Sequence, residues 1–206
     1  MRVPVPFLLV AGVLTAVVVG GGVVVLGRDD AEPAPVEESF TTTPLSEYDA
    51  TGAVVTHGAF CDLVDDRQVS AALGADPADS SSWENGDTID VGHGMQDVVH
   101  EFGCRYTAAD GTLAQAWVFA PPVDAAGAQR LVKVAAKTKG CQAGTGPPFG
   151  APTLALTCTK RGAVRASFRG LFADAWLVCE VERPAGADWD VVDRAGRWCV
   201  GVLQAF

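Results

Sequence analysis

The sequence of 206 residues lacks the catalytic signatures that spacing alone can reveal. It contains no G-x-S-x-G or H-E-x-x-H motif, no glycine-rich phosphate loop and no EF-hand pattern. It also has no C-x-x-C pair and no histidine close to a cysteine pair, which argues against a zinc site and against a redox-active dithiol. The sequence therefore predicts no catalytic residue, no metal and no cofactor.

Basic residues are scarce as well. Lysine and arginine together number 15 against 25 aspartates and glutamates, so the formal net charge is -10. An acidic chain repels the phosphate backbone, and we therefore expect no nucleic acid among the partners.

One long uncharged run lies near the N-terminus. Residues 5–27, VPFLLVAGVLTAVVVGGGVVVLG, contain no charged side chain. A helix of this length extends about 35 Å, enough to cross a hydrocarbon core of about 30 Å. Because Arg2 precedes the run and acidic residues dominate after it, we predict a single-pass anchor over residues 1–27 in the cell membrane, with a cytoplasmic N-terminus and an extracytoplasmic C-terminal part. The alternative is a cleaved secretory signal, which also exports the rest of the chain.

Residues 28–58 are typical of an acidic linker. They contain seven acidic residues, three prolines and the run TTTP, with few large apolar side chains. Such a segment buries too little surface to offset its ordering entropy, so we predict an extended stalk. In the alternative, one of three side chains docks on the domain: Phe40, Leu45 or Tyr48.

The remaining residues, 59–206, have the usual size of one domain. Apolar residues at helical spacing, with capping aspartates, predict helices over 65–73, 124–137 and 188–205. Short apolar runs separated by turn sequences predict strands over 102–107, 112–120, 153–159, 163–169 and 175–182. This order predicts an α+β domain, an antiparallel sheet with helices packed on one face, disulfide-bonded and preceded by one transmembrane helix.

The six cysteines all lie beyond the apolar run. An even number in an exported domain favours three disulfides over free thiols. We predict sequential pairing, which closes three loops of moderate size: Cys61–Cys104, Cys141–Cys158 and Cys179–Cys199.

Three segments carry a resemblance to a known group of proteins. They are FCDLVDDRQVSAALG at 60–74, FGCRYTAADG at 102–111, and the closing DAWLVCEVERP and DRAGRWCVGVLQAF. They resemble exported, membrane- or lipid-anchored actinobacterial proteins of unassigned function, and more distantly the extracellular sensor domain of actinobacterial serine/threonine kinases. This chain lacks the lipobox cysteine of the former and the kinase domain of the latter. The resemblance implies an α+β extracytoplasmic domain with a sensing or binding role, and it carries over no catalytic residue.

Residues 76–99 are a polar stretch without sustained periodicity, and we place the candidate site in the loop at 79–100. Long irregular segments within compact domains are often functional. Trp83 belongs to this stretch, and a loop tryptophan is a common binding anchor, although it can equally cover the core. The predicted ligand-binding residues are Trp83, Asp87, Asp90, His93 and His100.

Together these observations predict a membrane-anchored, extracytoplasmic binding or sensor-like domain without catalytic activity. Its expected partner is a cell-surface ligand or a membrane protein whose identity the sequence does not give. One alternative is an envelope hydrolase that uses His93 and His100 with nearby carboxylates. Another is a structural or assembly component of a membrane complex, in which the glycines at 20–22 pack against a second helix.

Overall fold

A computed structural model describes residues 40–206. The predicted anchor over 1–27 and the first part of the predicted linker lie outside the described residues. Within the described range, no helix is both long and apolar enough to cross a membrane. This range holds its own hydrophobic core and closes both of its disulfides internally, so it forms a self-contained folding unit.

Three α-helices form in the described residues, close to the predicted ranges: α1, Asp66–Leu73; α2, Ala125–Ala135; and α3, Val191–Leu203. Each begins directly after an aspartate whose carboxylate accepts a backbone N–H of the first turn: Asp65, Asp124 and Asp190. Gly74 ends α1 in the left-handed conformation, with φ 77°. The predicted helices are therefore confirmed, apart from a few terminal residues.

Nine strands form in the same range: β1, Asp79–Trp83; β2, Thr88–Gly92; β3, Met95–Val98; β4, Glu101–Thr107; β5, Leu113–Phe119; β6, Cys141–Gly144; β7, Thr153–Lys160; β8, Ala163–Phe172; and β9, Ala175–Arg183. Seven of them make one sheet in the order β1-β4-β5-β9-β8-β7-β6. Every pairing in it is antiparallel. Strands β2 and β3 pair only with each other.

The main core lies between the sheet and the helices α1 and α3. Leu177 and Cys179 of β9 face it, and Trp198 of α3 is completely buried there. The indole nitrogen of Trp198 donates a hydrogen bond to the carbonyl of Gln115 on β5, at 3.0 Å, so this large side chain is buried without an unpaired donor. The predicted α+β architecture, an antiparallel sheet with helices on one face, is confirmed for α1 and α3.

Helix α2 contacts the alternate side chains of the same strands. Its Ala128 packs against Leu171 of β8 and against Trp176 and Val178 of β9. Because successive residues of a strand point to opposite faces, these side chains lie on the face opposite the main core.

The folded unit begins before residue 59, within the segment predicted as a linker. Leu45 is only 3% exposed and lies against Gly196 of α3, and Val55 is also buried. The guanidinium of Arg197 on α3 donates to the carbonyl oxygen of Thr42 at 2.6 Å. Single anchoring residues of this kind hardly change the average composition of a segment, which explains why the acidic composition favoured a stalk.

Two of the three predicted disulfides are present. Cys141–Cys158 joins directly opposed residues of β6 and β7, and Cys179–Cys199 joins β9 to α3. The third predicted pair, Cys61 and Cys104, is held as two thiols. A short 3-10 helix, Cys61–Leu63, places the first thiol at hydrogen-bonding distance from the second, so the two residues are neighbours without a covalent bond.

Candidate binding surface

The polar stretch predicted as irregular consists largely of strands. Residues 79–83 form β1, residues 88–98 form the β2–β3 hairpin, and β4 begins at Glu101. Strand β1, with the sequence DSSSW, lies at the edge of the sheet and pairs only with β4. All of its residues are exposed except Trp83, which is partly buried. Its three serines give no alternation of apolar and polar residues.

Trp83 closes β1 and covers a glycine of the neighbouring strand. It is paired with Gly103 of β4, and its indole lies where a Cβ atom at Gly103 would be. The indole nitrogen donates to Oε1 of Glu101 at 3.0 Å. Burial raises the pKa of Glu101, and this hydrogen bond partly offsets that effect. The tryptophan is therefore half-buried and packed, rather than free at a loop tip.

Asp87 stabilises the turn that leads into the β2–β3 hairpin, and Asp90 stabilises the turn near its tip. Asp87 accepts the backbone N–H of Glu84 at 2.7 Å, and Asp90 accepts that of Gly92 at the same distance. Both side chains are exposed. Such side-chain-to-backbone bonds are the usual work of aspartate in turns.

The two predicted histidines lie at different places on the hairpin. His93 occupies its tip with φ 57°, and His100 lies just beyond its base, where its carbonyl accepts the N–H of Ala120 at 2.9 Å. No hydrogen bond joins either imidazole to a carboxylate within residues 40–206. The same range contains no group of three or more histidine, cysteine, aspartate or glutamate side chains that could hold a metal ion.

The β2–β3 hairpin exposes four apolar side chains: Ile89, Val91, Met95 and Val98. Ile89 is 46% exposed and Met95 is 58% exposed. Ile89 is paired with Asp97, and Met95 precedes that aspartate by two positions, so Ile89 and Met95 share one side of the hairpin. Val98 is paired with Thr88 and lies on the other side.

The hairpin is anchored at its base and free along its length. The N–H of Gly86 donates to Val99, whose own N–H donates to Asp87, and Val99 is buried. Every residue of β2 and β3 except Gly92 is exposed. Because these apolar side chains remain exposed, they contribute little to the stability of the fold. The hairpin itself is of a kind that is only marginally stable in isolation.

A polar cleft of 460 Å³ lies beside β1, between that edge strand and the start of α1. The residues that line it are Cys61, Asp62, Val64, Asp66, Ser80, Ser81, Ser82, Cys104 and Tyr106. Burial, together with the neighbouring thiols, raises the pKa of Tyr106 above its usual range. The Cys61 thiol, and then burial, likewise raise the pKa of Cys104, so both groups are protonated at neutral pH.

No known protein-family model matches this sequence, and no curated protein matches it significantly. The site is therefore judged on its own geometry. The predicted residues lie on and around the β2–β3 hairpin, but the sequence analysis did not name the exposed apolar side chains of that hairpin. A signal for them was present in the sequence: the segments TIDV and MQDV flank a turn that contains two glycines.

Proposed function

We propose that this chain is an extracytoplasmic binding domain without catalytic activity, and that it docks on a partner protein at the cell surface through the β2–β3 hairpin. The observation that carries this proposal is the set of four exposed apolar side chains on a hairpin apart from the main sheet. Exposed apolar patches on a soluble domain commonly mark interaction surfaces. The two disulfides support an oxidising compartment.

The charge of the hairpin defines the partner further. Residues 79–100 contain five acidic residues and neither lysine nor arginine. Asp87, Asp90 and Asp97 are exposed beside the apolar side chains. A complementary surface therefore has an apolar centre and basic residues around it, since charges at the rim of an interface select the partner and accelerate association.

The expected energy of the contact follows from the exposed area. Ile89 and Met95 each leave roughly 80 Å² of apolar surface to bury, which corresponds to about 2 kcal/mol per side chain. Together the two side chains contribute about 4 kcal/mol, so the double variant I89S/M95S should weaken partner binding about 700-fold. Its melting temperature should stay close to that of the wild type, because neither side chain lies in the core.

Site-specific photo-crosslinking in the native host tests the proposal. A photoreactive residue replaces Ile89 or Met95, and in the control it replaces Val54, which is 72% exposed and lies outside the hairpin. We expect one discrete adduct from both hairpin positions and none from the control. Equal labelling from all three positions would contradict the proposal. An adduct of two copies of this chain would show that the hairpin docks on a second copy and not on a different protein.

The hydrolase alternative has a separate test. A double variant, H93A/H100A, retains the apolar side chains of the hairpin and should retain the crosslink. Loss of a hydrolytic activity in this variant, with the crosslink unchanged, would favour the enzyme. The assembly alternative depends on residues 20–22, which lie outside the described residues.

A further inference from the structure

Six of the 15 basic residues of this acidic chain lie at one corner of the domain. All four lysines of the sequence lie there together with two arginines, and the six residues are Arg130, Lys133, Lys137, Lys139, Lys160 and Arg161. All six are exposed. None of them forms an ion pair or a side-chain hydrogen bond with another residue of the described range.

The fold gathers these residues from two distant segments. Lys133 lies in the last turn of α2, and Lys137 lies in the turn that directly follows the helix, where its N–H donates to the carbonyl of Val134. Beyond α2, the carbonyl of Gly140 accepts the N–H of Thr159 at 2.8 Å, which brings Lys139 next to Lys160. The Cys141–Cys158 disulfide fixes this juxtaposition, and the tight turn between β7 and β8 adds Arg161.

An apolar groove of 670 Å³ continues from the same side of α2. It is lined by Pro122, Val123, Asp124, Gly127, Arg130, Leu131, Val134 and Asp174. Val134 is 70% exposed and lies one turn beyond Arg130. The two carboxylates of the groove are engaged elsewhere, because Asp124 caps α2 and Asp174 contacts His57 at 3.2 Å. We call the six cations and Val134 the basic face.

We propose that the basic face binds an anionic phospholipid surface. Exposed lysines without fixed partners suit a diffuse array of headgroups better than one small anion, which requires preorganised donors. The adjoining apolar groove and Val134 favour a lipid over a soluble polyanion, since only a lipid surface also offers hydrocarbon to apolar side chains.

A simpler role accounts for part of the basic face but not for all of it. Lysines at the C-terminal end of a helix interact favourably with its dipole, which explains Lys133 in the last turn of α2 and Lys137 just beyond it. That role does not explain Lys160 and Arg161 on a separate turn, nor the exposed Val134. These three residues therefore distinguish the two roles, because lipid binding accounts for them and helix stabilisation does not.

The lipid contact is independent of the hairpin docking proposed above. It uses α2 and the β7–β8 turn, whereas docking uses β2 and β3. If the predicted anchor holds the domain beside a membrane, even a weak contact becomes effective, because tethering makes the second contact intramolecular. The domain would then rest on the lipid through α2 and keep the hairpin available to a partner.

Vesicle co-sedimentation of residues 40–206 tests the proposal. Neutral phosphatidylcholine vesicles are compared with vesicles containing about 30% phosphatidylglycerol, in salt of about 50 mM and about 500 mM. We expect binding only to the anionic vesicles, with most of it lost at high salt. Replacing the four lysines by glutamine should weaken it at least about tenfold, and replacing them by arginine should preserve it. V134S should also weaken binding, whereas the matched exposed control V54S should not.

Several outcomes would overturn the proposal. Equal binding to neutral and anionic vesicles would show that charge does not drive the contact, and full binding by the glutamine variant would exclude the lysines. Binding to soluble polyphosphate without binding to vesicles would assign the basic face to a polymer. Failure of the hairpin crosslink leaves this measurement unaffected, because residues 89 and 95 take no part in it.

Discussion

The pair Cys61 and Cys104 provides the sharpest test of how this domain is held together. The two thiols lie side by side, and the chain between them spans 43 positions. Oxidation requires only the loss of two protons and two electrons to an acceptor such as glutathione disulfide. We expect this bond to form as the third disulfide when the protein is exposed to an oxidising compartment.

The effect of the bond follows from the loop that it closes. In the chain-entropy model, a loop of this length lowers the entropy of the unfolded chain enough to stabilise the fold by about 4 kcal/mol, compared with about 3 kcal/mol for each of the two shorter loops. For a domain of this size, each kcal/mol raises the melting temperature by about 2–4 °C. The variant C61S/C104S should therefore melt about 8–16 °C below the fully oxidised protein.

Two measurements check this prediction. Non-reducing peptide mapping after exposure to glutathione disulfide should recover the peptides of Cys61 and Cys104 joined to each other. Before oxidation, Cys61 should react with an alkylating agent faster than Cys104, which is buried and has a raised pKa. Equal melting temperatures for the variant and the oxidised protein, or a bond from Cys61 to another cysteine, would refute the reasoning.

Three further predictions concern stability. Replacing Leu45 by alanine should lower the free energy of unfolding in urea by about 2–4 kcal/mol. An unchanged free energy of unfolding would indicate that residues 40–58 are a linker and not part of the folded unit. Replacing Trp83 by alanine should cost about 1–3 kcal/mol by uncovering Gly103, and an unchanged midpoint would leave the indole available for ligands. His57 has a raised pKa: burial opposes the shift, but its bonds to the Phe119 carbonyl and Asp174 outweigh burial. The stabilisation from protonated His57 is therefore complete below about pH 6.5 and is lost as the pH rises further. Melting curves of H57Q at several pH values should show a smaller decline in melting temperature over this range.

The sequence predicts most of the fold because its local signals agree with the tertiary structure. Asp65, Asp124 and Asp190 cap the three helices, and Gly74 ends the first of them. Gln68 is the exception: its position three residues after Asp65 is typical of a capping box, but its amide instead donates to the carbonyl of Arg197 at 2.7 Å. A long-range contact of this kind leaves no trace in local spacing.

The β2–β3 hairpin and the edge strand β1 were not predicted, because their sequences lack the periodicity that indicates a strand. Periodicity reports a strand only when one of its faces is buried, and neither β1 nor the β2–β3 hairpin has a buried face. The candidate residues around Trp83 were therefore found from polarity and length, while Ile89 and Met95 were missed. The basic face was also missed, because a net charge of -10 conceals the local concentration of the cations.

The position of β9 in the sheet constrains the order of folding. Strands β1, β4 and β5 lie on one side of it and β8, β7 and β6 lie on the other, so β9 alone connects the two halves. It is the last strand along the chain, and Cys179 then ties it to α3. The sheet therefore cannot be completed while the chain is still emerging, and folding must await residues near the C-terminus. Export of the unfolded chain, as proposed above, would satisfy this requirement, because the whole chain would be released before the centre of the sheet forms.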